Sequence, residues 1–364
     1  MSSWLRPRNT VLAILLLLLA GELGVRVLID HDSAWNMRLG TAKRFDPVTL
    51  FRLKANYEVA PGVHTNERGY LAPQNLSFDK PRDALRVIYL GDSASVQPAS
   101  AMYPAQVERL LAKEGVPVQT LNAAVPGFDS GKARALFEQE IREYEADFFF
   151  VYLGWNDLGQ YGPEGLPYKR ASEGYEITPM QRAFSQVYLG RFLFALQEFA
   201  RRRQPAFAEA LAPEETRLYG AYYPTHYEEN LRAILTLAKQ RYPNVAIMNL
   251  ATLTSDHPTE HEMRTAHFPT GMNKNVRKLH LLVTIYNGVV EKVAREQGVE
   301  RIDLFRVFDS EEARREFTDS AHMNATGTLR MARTAARVIL ARQEAARSAA
   351  RGAAAPGAPA VGTP

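Results

Sequence analysis

From residue 85 onward, short continuous apolar runs alternate with stretches in which apolar positions recur every three or four residues. The run Leu85-Arg86-Val87-Ile88-Tyr89-Leu90 reads as a buried strand, and Val118–Leu121, Phe148–Leu153, Val245–Leu250 and Val299–Phe305 read likewise. Phe148–Leu153 has no polar position, as expected of a strand covered on both faces. The helical spacing predicts helices over Tyr103–Glu114, Lys132–Tyr144, Thr225–Arg241, Leu281–Gln297 and Ala325–Ala341. Leu231, Ile234, Leu235 and Ala238 share one face of Thr225–Arg241, and Gly115 and Gly298 stop two of the others. Strand–helix alternation of this kind implies an α/β domain, residues 85–345, with a five-stranded parallel sheet covered on both sides.

Other stretches break the pattern. Residues 31–84 hold short apolar pieces between turn residues (Asp46-Pro47, Pro61-Gly62, Asn66-Glu67-Arg68-Gly69, Pro73) and predict an irregular or β-rich lead-in packed on the body. Two inserts interrupt the alternation at 161–224 and 252–279. The first, Tyr161–Pro224, includes a predicted helix, Met180–Arg203, with Phe184, Val187, Tyr188, Phe192, Leu196 and Phe199 at helical spacing. An amphipathic helix packed on the body is expected there, with a lid or a membrane-facing helix as alternatives. The second, Thr252–Leu279, is polar and carries His257, His261 and His267. The i, i+4 pair His257/His261 beside Glu260 and Glu262 has a spacing that metals use. However, Pro258 disfavours a helix through it, and Thr265 stands where His-Glu-x-x-His needs its second histidine. A polar loop without a metal is the expectation. Residues 346–364 are mostly alanine, glycine and proline and predict a disordered tail.

At the amino terminus Arg6 and Arg8 precede Val11–Ala20, an apolar core that continues past Glu22 and Arg26 to Ile29. As a helix, Val11–Ile29 would extend roughly 28 Å, close to the hydrocarbon thickness of a bilayer. Glu22 and Arg26 could pair on one face, and no small-x-small cleavage site follows. Residues 1–30 are therefore expected to be an uncleaved signal anchor. With Arg6 and Arg8 inside and Asp30 and Asp32 outside, the body would lie in the periplasm of a single-pass inner-membrane protein. Secretion after signal cleavage is the alternative.

Composition narrows the chemistry. The chain of 364 residues is 46% hydrophobic, enough for a sizeable core. Its formal charge of +4 sits largely at the two ends, in Arg6, Arg8 and Arg26 and in Arg342, Arg347 and Arg351, so it does not argue for nucleic acid. With no cysteine, disulfides, thiol catalysis and zinc–thiolate sites are excluded.

The turns that follow the predicted strands carry complementary groups. Gly91-Asp92-Ser93-Ala94-Ser95 follows the first strand. Asn122-Ala123-Ala124-Val125-Pro126-Gly127 follows the second, and Gly154-Trp155-Asn156-Asp157 the third. Asp319-Ser320-Ala321-His322 lies just before the last helix. In a parallel sheet these turns gather at one edge. Ser93 is a weak nucleophile without a base, which His322 supplies, and Asp319 three residues upstream can orient that imidazole. The N–H groups of Ser93 and Gly127 and the Asn156 amide can receive an oxyanion. Asp92 and Asp157 are expected to hold loops by accepting backbone N–H groups, and Trp155 to wall a pocket or pack in the core.

With these blocks the chain resembles the SGNH hydrolases, or GDSL-type esterases and lipases, from about Leu85 to Ala341. The resemblance implies that Ser93 is the nucleophile, Gly127 and Asn156 are oxyanion donors, and Asp319 and His322 are the orienting acid and the base. It implies a three-layer α/β/α flavodoxin-like fold. Ala94 stands where leucine often occurs, and Ala124 where many members have glycine. The lead-in, with Asn66–Tyr70, is similar to that of membrane-anchored bacterial members.

The function expected is a serine esterase, without cofactor, that removes an acyl group, O-acetyl above all, from an exported or cell-envelope glycan, lipid or small molecule. Transfer of the acyl group to an envelope polysaccharide would use the same residues, and a silent carbohydrate-binding or scaffold module is the non-enzymatic alternative.

Overall fold

The computed structural model describes residues 7–28, 42–72, 76–82, 84–158, 205–269 and 272–353. The expected helix Met180–Arg203 lies outside the described residues, as do residues 354–364.

Among the described residues, β1 (Lys43–Asp46) and β2 (Leu50–Leu53) form one antiparallel hairpin, and β3 (Glu58–Ala60) and β4 (Val63–His64) another. The main sheet follows, with β5 (Leu85–Gly91), β6 (Val118–Asn122), β7 (Phe148–Tyr152), β8 (Asn244–Met248) and β9 (Glu300–Ile302). Its five strands are all parallel, in the spatial order β6-β5-β7-β8-β9. This is the flavodoxin-like order, in which the chain grows one way from β5 to β6 and then the other way from β7 on. In sheets of this order a ligand binds at that reversal, here outside the carboxyl ends of β5 and β7.

The helices are α1 (Pro7–Leu28), α2 (Tyr103–Lys113), α3 (Ser130–Gln139), α4 (Pro213–Ala221), α5 (Thr225–Arg241), α6 (Glu260–Thr265), α7 (Val276–Gln297), α8 (Leu304–Val307), α9 (Glu311–Arg314) and α10 (Ala325–Ala353). Helix α2 packs on α10, while α5 packs on both α3 and α7. The aromatic strand β7 shows why the sheet needs both layers. Alternate side chains of a strand point to opposite faces. Phe150 stacks on Tyr89 at 5.4 Å, and Tyr89 meets Tyr103 of α2 edge-on at 5.3 Å. Phe149 packs against Phe137 of α3 at 5.0 Å and Tyr242 after α5 at 4.9 Å. All of β7 is buried.

The amino end of the sheet is closed by a charge. Arg86 on β5 is 1% exposed. Its guanidinium donates to the carbonyls of Ser77, Phe78, Asp79 and Glu145 and to Gln119 Oε1, at 2.9–3.1 Å. A buried cation is tolerated only when its donors are met in this way. The lead-in is bound to the body by Leu71 N–H donating to the Asn122 carbonyl at 3.1 Å. It is also bound by Arg52, which bridges Tyr70 Oη at 2.6 Å and Glu140 at 2.8 Å.

Several boundaries differ from expectation. The predicted helix Lys132–Tyr144 ends at Gln139 and is followed by a separate 3-10 turn, Ile141–Glu143. Helix α7 begins at Val276, not Leu281, because Asn275 Oδ1 accepts the N–H groups of Arg277 and Lys278. The last strand stops at Ile302 because Asp303 accepts Arg306 N–H and starts α8. The second insert is not all loop: Thr259 caps α6 at Glu262 N–H, so Pro258 precedes the helix and His257 lies outside it. The expected disordered tail is also corrected in part. Helix α10 continues through residues 346–353, since alanine is the best helix former.

Helix α1 leaves its large apolar side chains exposed, among them Ile14, Leu15, Leu16, Leu17, Leu18 and Leu19. Among the described residues no helix is long and apolar enough to cross a membrane; the expected span, which runs to Ile29, extends past them.

Candidate active site

The serine turn is shaped by a glycine. A Cβ on Gly91 would lie 2.4 Å from Ser95 Oγ and 3.2 Å from the Tyr152 carbonyl oxygen, so the last residue of β5 has to lack one. The chain then turns through a 3-10 helix, Ser93–Ser95, capped by Asp92, whose Oδ1 accepts Ala94 N–H at 3.0 Å. Asp92 Oδ2 lies 3.3 Å from Asn156 Nδ2. One amide N–H of Asn156 is thereby directed at Asp92, which leaves the second for another acceptor. Asp92 is 1% exposed. Burial pushes its carboxyl up to about 6, against the opposing pull of Ala94 N–H, His322 and Asn156.

The loop after β6 is fastened to this turn. Asn122 Nδ2 donates to the Ser95 carbonyl at 3.1 Å, Asn122 Oδ1 accepts Ala124 N–H at 3.1 Å, and Val125 N–H donates to the Gly91 carbonyl at 3.2 Å. Gly127 has φ +88°, a left-handed conformation that favours glycine. Among the described residues the N–H groups of Ser93 and Gly127 donate to no acceptor. In the loop after β7, Asp157 accepts Ser130 N–H at 2.9 Å and Ser130 Oγ–H at 2.5 Å. Burial, and then the neighbouring Asp129, push the Asp157 carboxyl up. Both acids hold backbone N–H groups, as the sequence implied.

Before α10, Asp319 Oδ1 accepts the N–H groups of Ala321 and His322, each at 2.8 Å. Asp319 Oδ2 lies 2.7 Å from His322 Nδ1, and His322 Nε2 lies 2.9 Å from Ser93 Oγ. An ionised carboxylate only accepts, so Nδ1 carries the proton and Nε2 is left to accept from Ser93 Oγ–H. Burial opposes the imidazolium, but the hydrogen bond and charge of Asp319, with the charge of Asp92, outweigh it and hold His322 above the ordinary histidine value. Burial likewise opposes the Asp319 carboxylate. The His322 bond and charge and the two N–H donors hold it below the usual range.

The structure thus joins Ser93, His322 and Asp319 in one hydrogen-bonded series and links Asn156 to the serine turn through Asp92. Three contributions escaped the sequence. Asp92 orients Asn156 as well as the turn. Ser320 ties the Asp–His turn to the second insert: its Oγ donates to the His267 carbonyl at 2.7 Å and accepts His267 N–H at 3.0 Å. Lys43 and Phe51 of the lead-in reach Gly127, where a Cβ would lie 3.2 Å from Lys43 Nζ and 3.4 Å from the Phe51 ring. Nothing in the lead-in's sequence signals that approach. Among the described residues no group of three or more metal-ligating side chains is assembled.

A flavodoxin-like sheet with this serine, histidine and aspartate at its carboxyl edge defines an α/β serine hydrolase. The model of the GDSL-like Lipase/Acylhydrolase family matches residues 89–329, well over half of the chain. The chain belongs to that family, whose members are also called SGNH hydrolases, and is a serine hydrolase acting on ester bonds. No curated protein matches it. Among solved structures it is similar to an acetyl xylan esterase, AlAXEase, at 14% identity over 70% of this chain and 100% of the other, with a TM-score of 0.44. Axe2, an acetylxylan esterase from Geobacillus stearothermophilus, aligns at 15% identity over 71% and 95% of the two chains, with a TM-score of 0.41. A lipase/acylhydrolase from Enterococcus faecalis aligns at 15% identity over 71% and 96%, with a TM-score of 0.42.

Proposed function

We propose that Ser93 is the nucleophile of an esterase that cleaves an acyl ester, O-acetyl in the first instance, on an exported or cell-envelope molecule. The observation that carries the reading is His322 bridging Ser93 Oγ at 2.9 Å and Asp319 at 2.7 Å. Ser93 Oγ attacks the ester carbonyl while His322 Nε2 takes its proton. The developing oxyanion is received by the N–H groups of Ser93 and Gly127 and by the free amide N–H of Asn156. His322 then gives the proton to the leaving alcohol, and an acyl-serine remains. Water, activated by the same imidazole, releases the acid and restores Ser93. Asp319 keeps the imidazole in its tautomer and stabilises its charged form. These steps use only protein groups and water.

The test is S93A in the full-length protein in detergent micelles. The variant should keep the wild-type melting temperature, fail to react with a fluorophosphonate probe and lose measurable turnover of 4-nitrophenyl acetate. Undiminished turnover would overturn the assignment.

The envelope location is supported by Arg6 and Arg8 before the apolar helix and by the exposed leucines of α1. We infer that residues 1–30 anchor the chain in the inner membrane with the catalytic domain outside. The full-length protein should stay in bacterial membranes through an alkaline carbonate wash. Its recovery as a shortened, freely soluble periplasmic protein would instead indicate signal cleavage.

A further inference from the structure

Lys43 belongs to the first hairpin of the lead-in, far in sequence from every block of the active site. Its ammonium lies 4.1 Å from the centroid of the Phe51 ring and 3.2 Å from where a side chain on Gly127 would begin. Phe51 in turn meets Phe128 edge-on at 5.5 Å, so the hairpin is seated against the oxyanion loop. Among the described residues Lys43 has no carboxylate partner; its contacts are the Phe51 ring and the like charge of Lys132. Lys132 is itself paired with Asp129, the residue that caps its helix, so its charge is already met. Burial, and then Lys132, push the Lys43 ammonium down to about 8, the shift of a cation that lacks an anion.

The position is suggestive for substrate. The Cβ direction and the nitrogen of one residue are about 2.5 Å apart, so Lys43 Nζ lies within roughly 6 Å of Gly127 N. An ester carbonyl bound to that N–H would bring groups a few bonds from the ester within reach of the ammonium. Gly127 keeps the approach open, since any side chain there would press on Lys43.

We propose that Lys43 forms a subsite for an anionic group, a carboxylate or phosphate carried by the substrate close to the scissile ester, so that the enzyme selects acidic esters over neutral ones. This deepens the proposed function and rests on Gly127 being an oxyanion donor. An incoming anion would supply the partner that Lys43 lacks among the described residues and would fix the ester against the Gly127 N–H.

The test compares kcat/KM for acetate release from 3-acetoxybenzoate and from its neutral counterpart 3-acetoxybenzamide, using full-length enzyme. The ratio of the two values does not depend on how much of a variant is folded. The wild type should prefer the anion. K43M should lower the ratio about tenfold, the loss of one charge-assisted contact, and K43R should largely retain it. K43Q, which keeps polarity without charge, should behave as K43M. A wild-type ratio at or below unity, or a ratio unchanged in both neutral variants, would overturn the proposal. S93A measured alongside separates the two readings. Turnover surviving in S93A would refute the catalytic assignment, whereas an indifferent Lys43 with a silent S93A refutes the subsite alone.

Discussion

In the turn after β5, Asp92 gives one oxygen to the N–H of Ala94 and the other to the amide of Asn156. In the turn before α10, Asp319 gives one oxygen to the N–H groups of Ala321 and His322 and the other to the imidazole of His322. Each acid therefore shapes its own turn with one oxygen and aims a site residue with the other. Their ionisation nevertheless moves in opposite directions. Asp92 is buried, has one backbone donor and faces a neutral amide at 3.3 Å, and burial carries it up to about 6. Asp319 has two backbone donors and a partner that can become a cation, at 2.7 Å, and those outweigh its burial. Residue type is shared; the deeper burial of Asp92, together with the charge of the partner and the number of donors, decides which acid stays ionised most firmly.

The comparison breaks most visibly at Asp319. D319N keeps the shape of the turn but removes the charge that fixes the imidazole tautomer. It should lower kcat for 4-nitrophenyl acetate by about 10³- to 10⁴-fold, the scale seen when such an acid becomes an amide, with little change in melting temperature. A loss under about tenfold would show that His322 does not need Asp319.

D92N should act more mildly, lowering kcat by about tenfold, because it disturbs the aim of one oxyanion donor without removing it. It should also move the pH profile. The activity of the wild type should rise with pH as His322 loses its proton, and the charge of Asp92 is one of the causes that hold this pKa up. In D92N the rise should therefore come at lower pH; an unmoved midpoint would separate Asp92 from His322. The smallest effect is on stability. The native state holds the Asp92 proton up to about pH 6, while the unfolded chain releases it near the ordinary value of 3.8. Across that window the native state binds more protons, so the contribution of Asp92 to stability falls as pH rises. Urea unfolding between pH 4 and 6 should show a shallower decline in D92N.

The elements that set the frame were legible where periodicity and punctuation agreed. Thr225–Arg241 was read to the residue because its apolar face and ends coincide. The order of Ser93, Gly127, Asn156, Asp319 and His322 along the alternation was enough to name the candidate site before any geometry. What escaped was set by side chains that act at a distance. The start of α7 depends on Asn275, which sits in a polar stretch with no hydrophobic signal. The shortened β9 depends on Asp303 turning an apolar run into a helix start. Asp92 was legible as a loop acid but not as the orienter of Asn156, 64 residues away. Lys43 was invisible, because a lysine in a hairpin announces nothing until the hairpin is placed.

Arg86 bears on how this architecture can be altered. By drawing together Ser77, Phe78, Asp79, Gln119 and Glu145, it commits the turns at the amino edge of the sheet to one arrangement. Both inserts instead follow strands at the carboxyl edge, after β7 and β8. Recombination between relatives should therefore be tolerated where the exchanged segment enters and leaves at the carboxyl edge. Crossovers between Ser77 and Gln119 should be tolerated less well, because one parent's arginine would have to meet carbonyls positioned by the other's turns. New specificities would then come from trading rim segments over an inherited base.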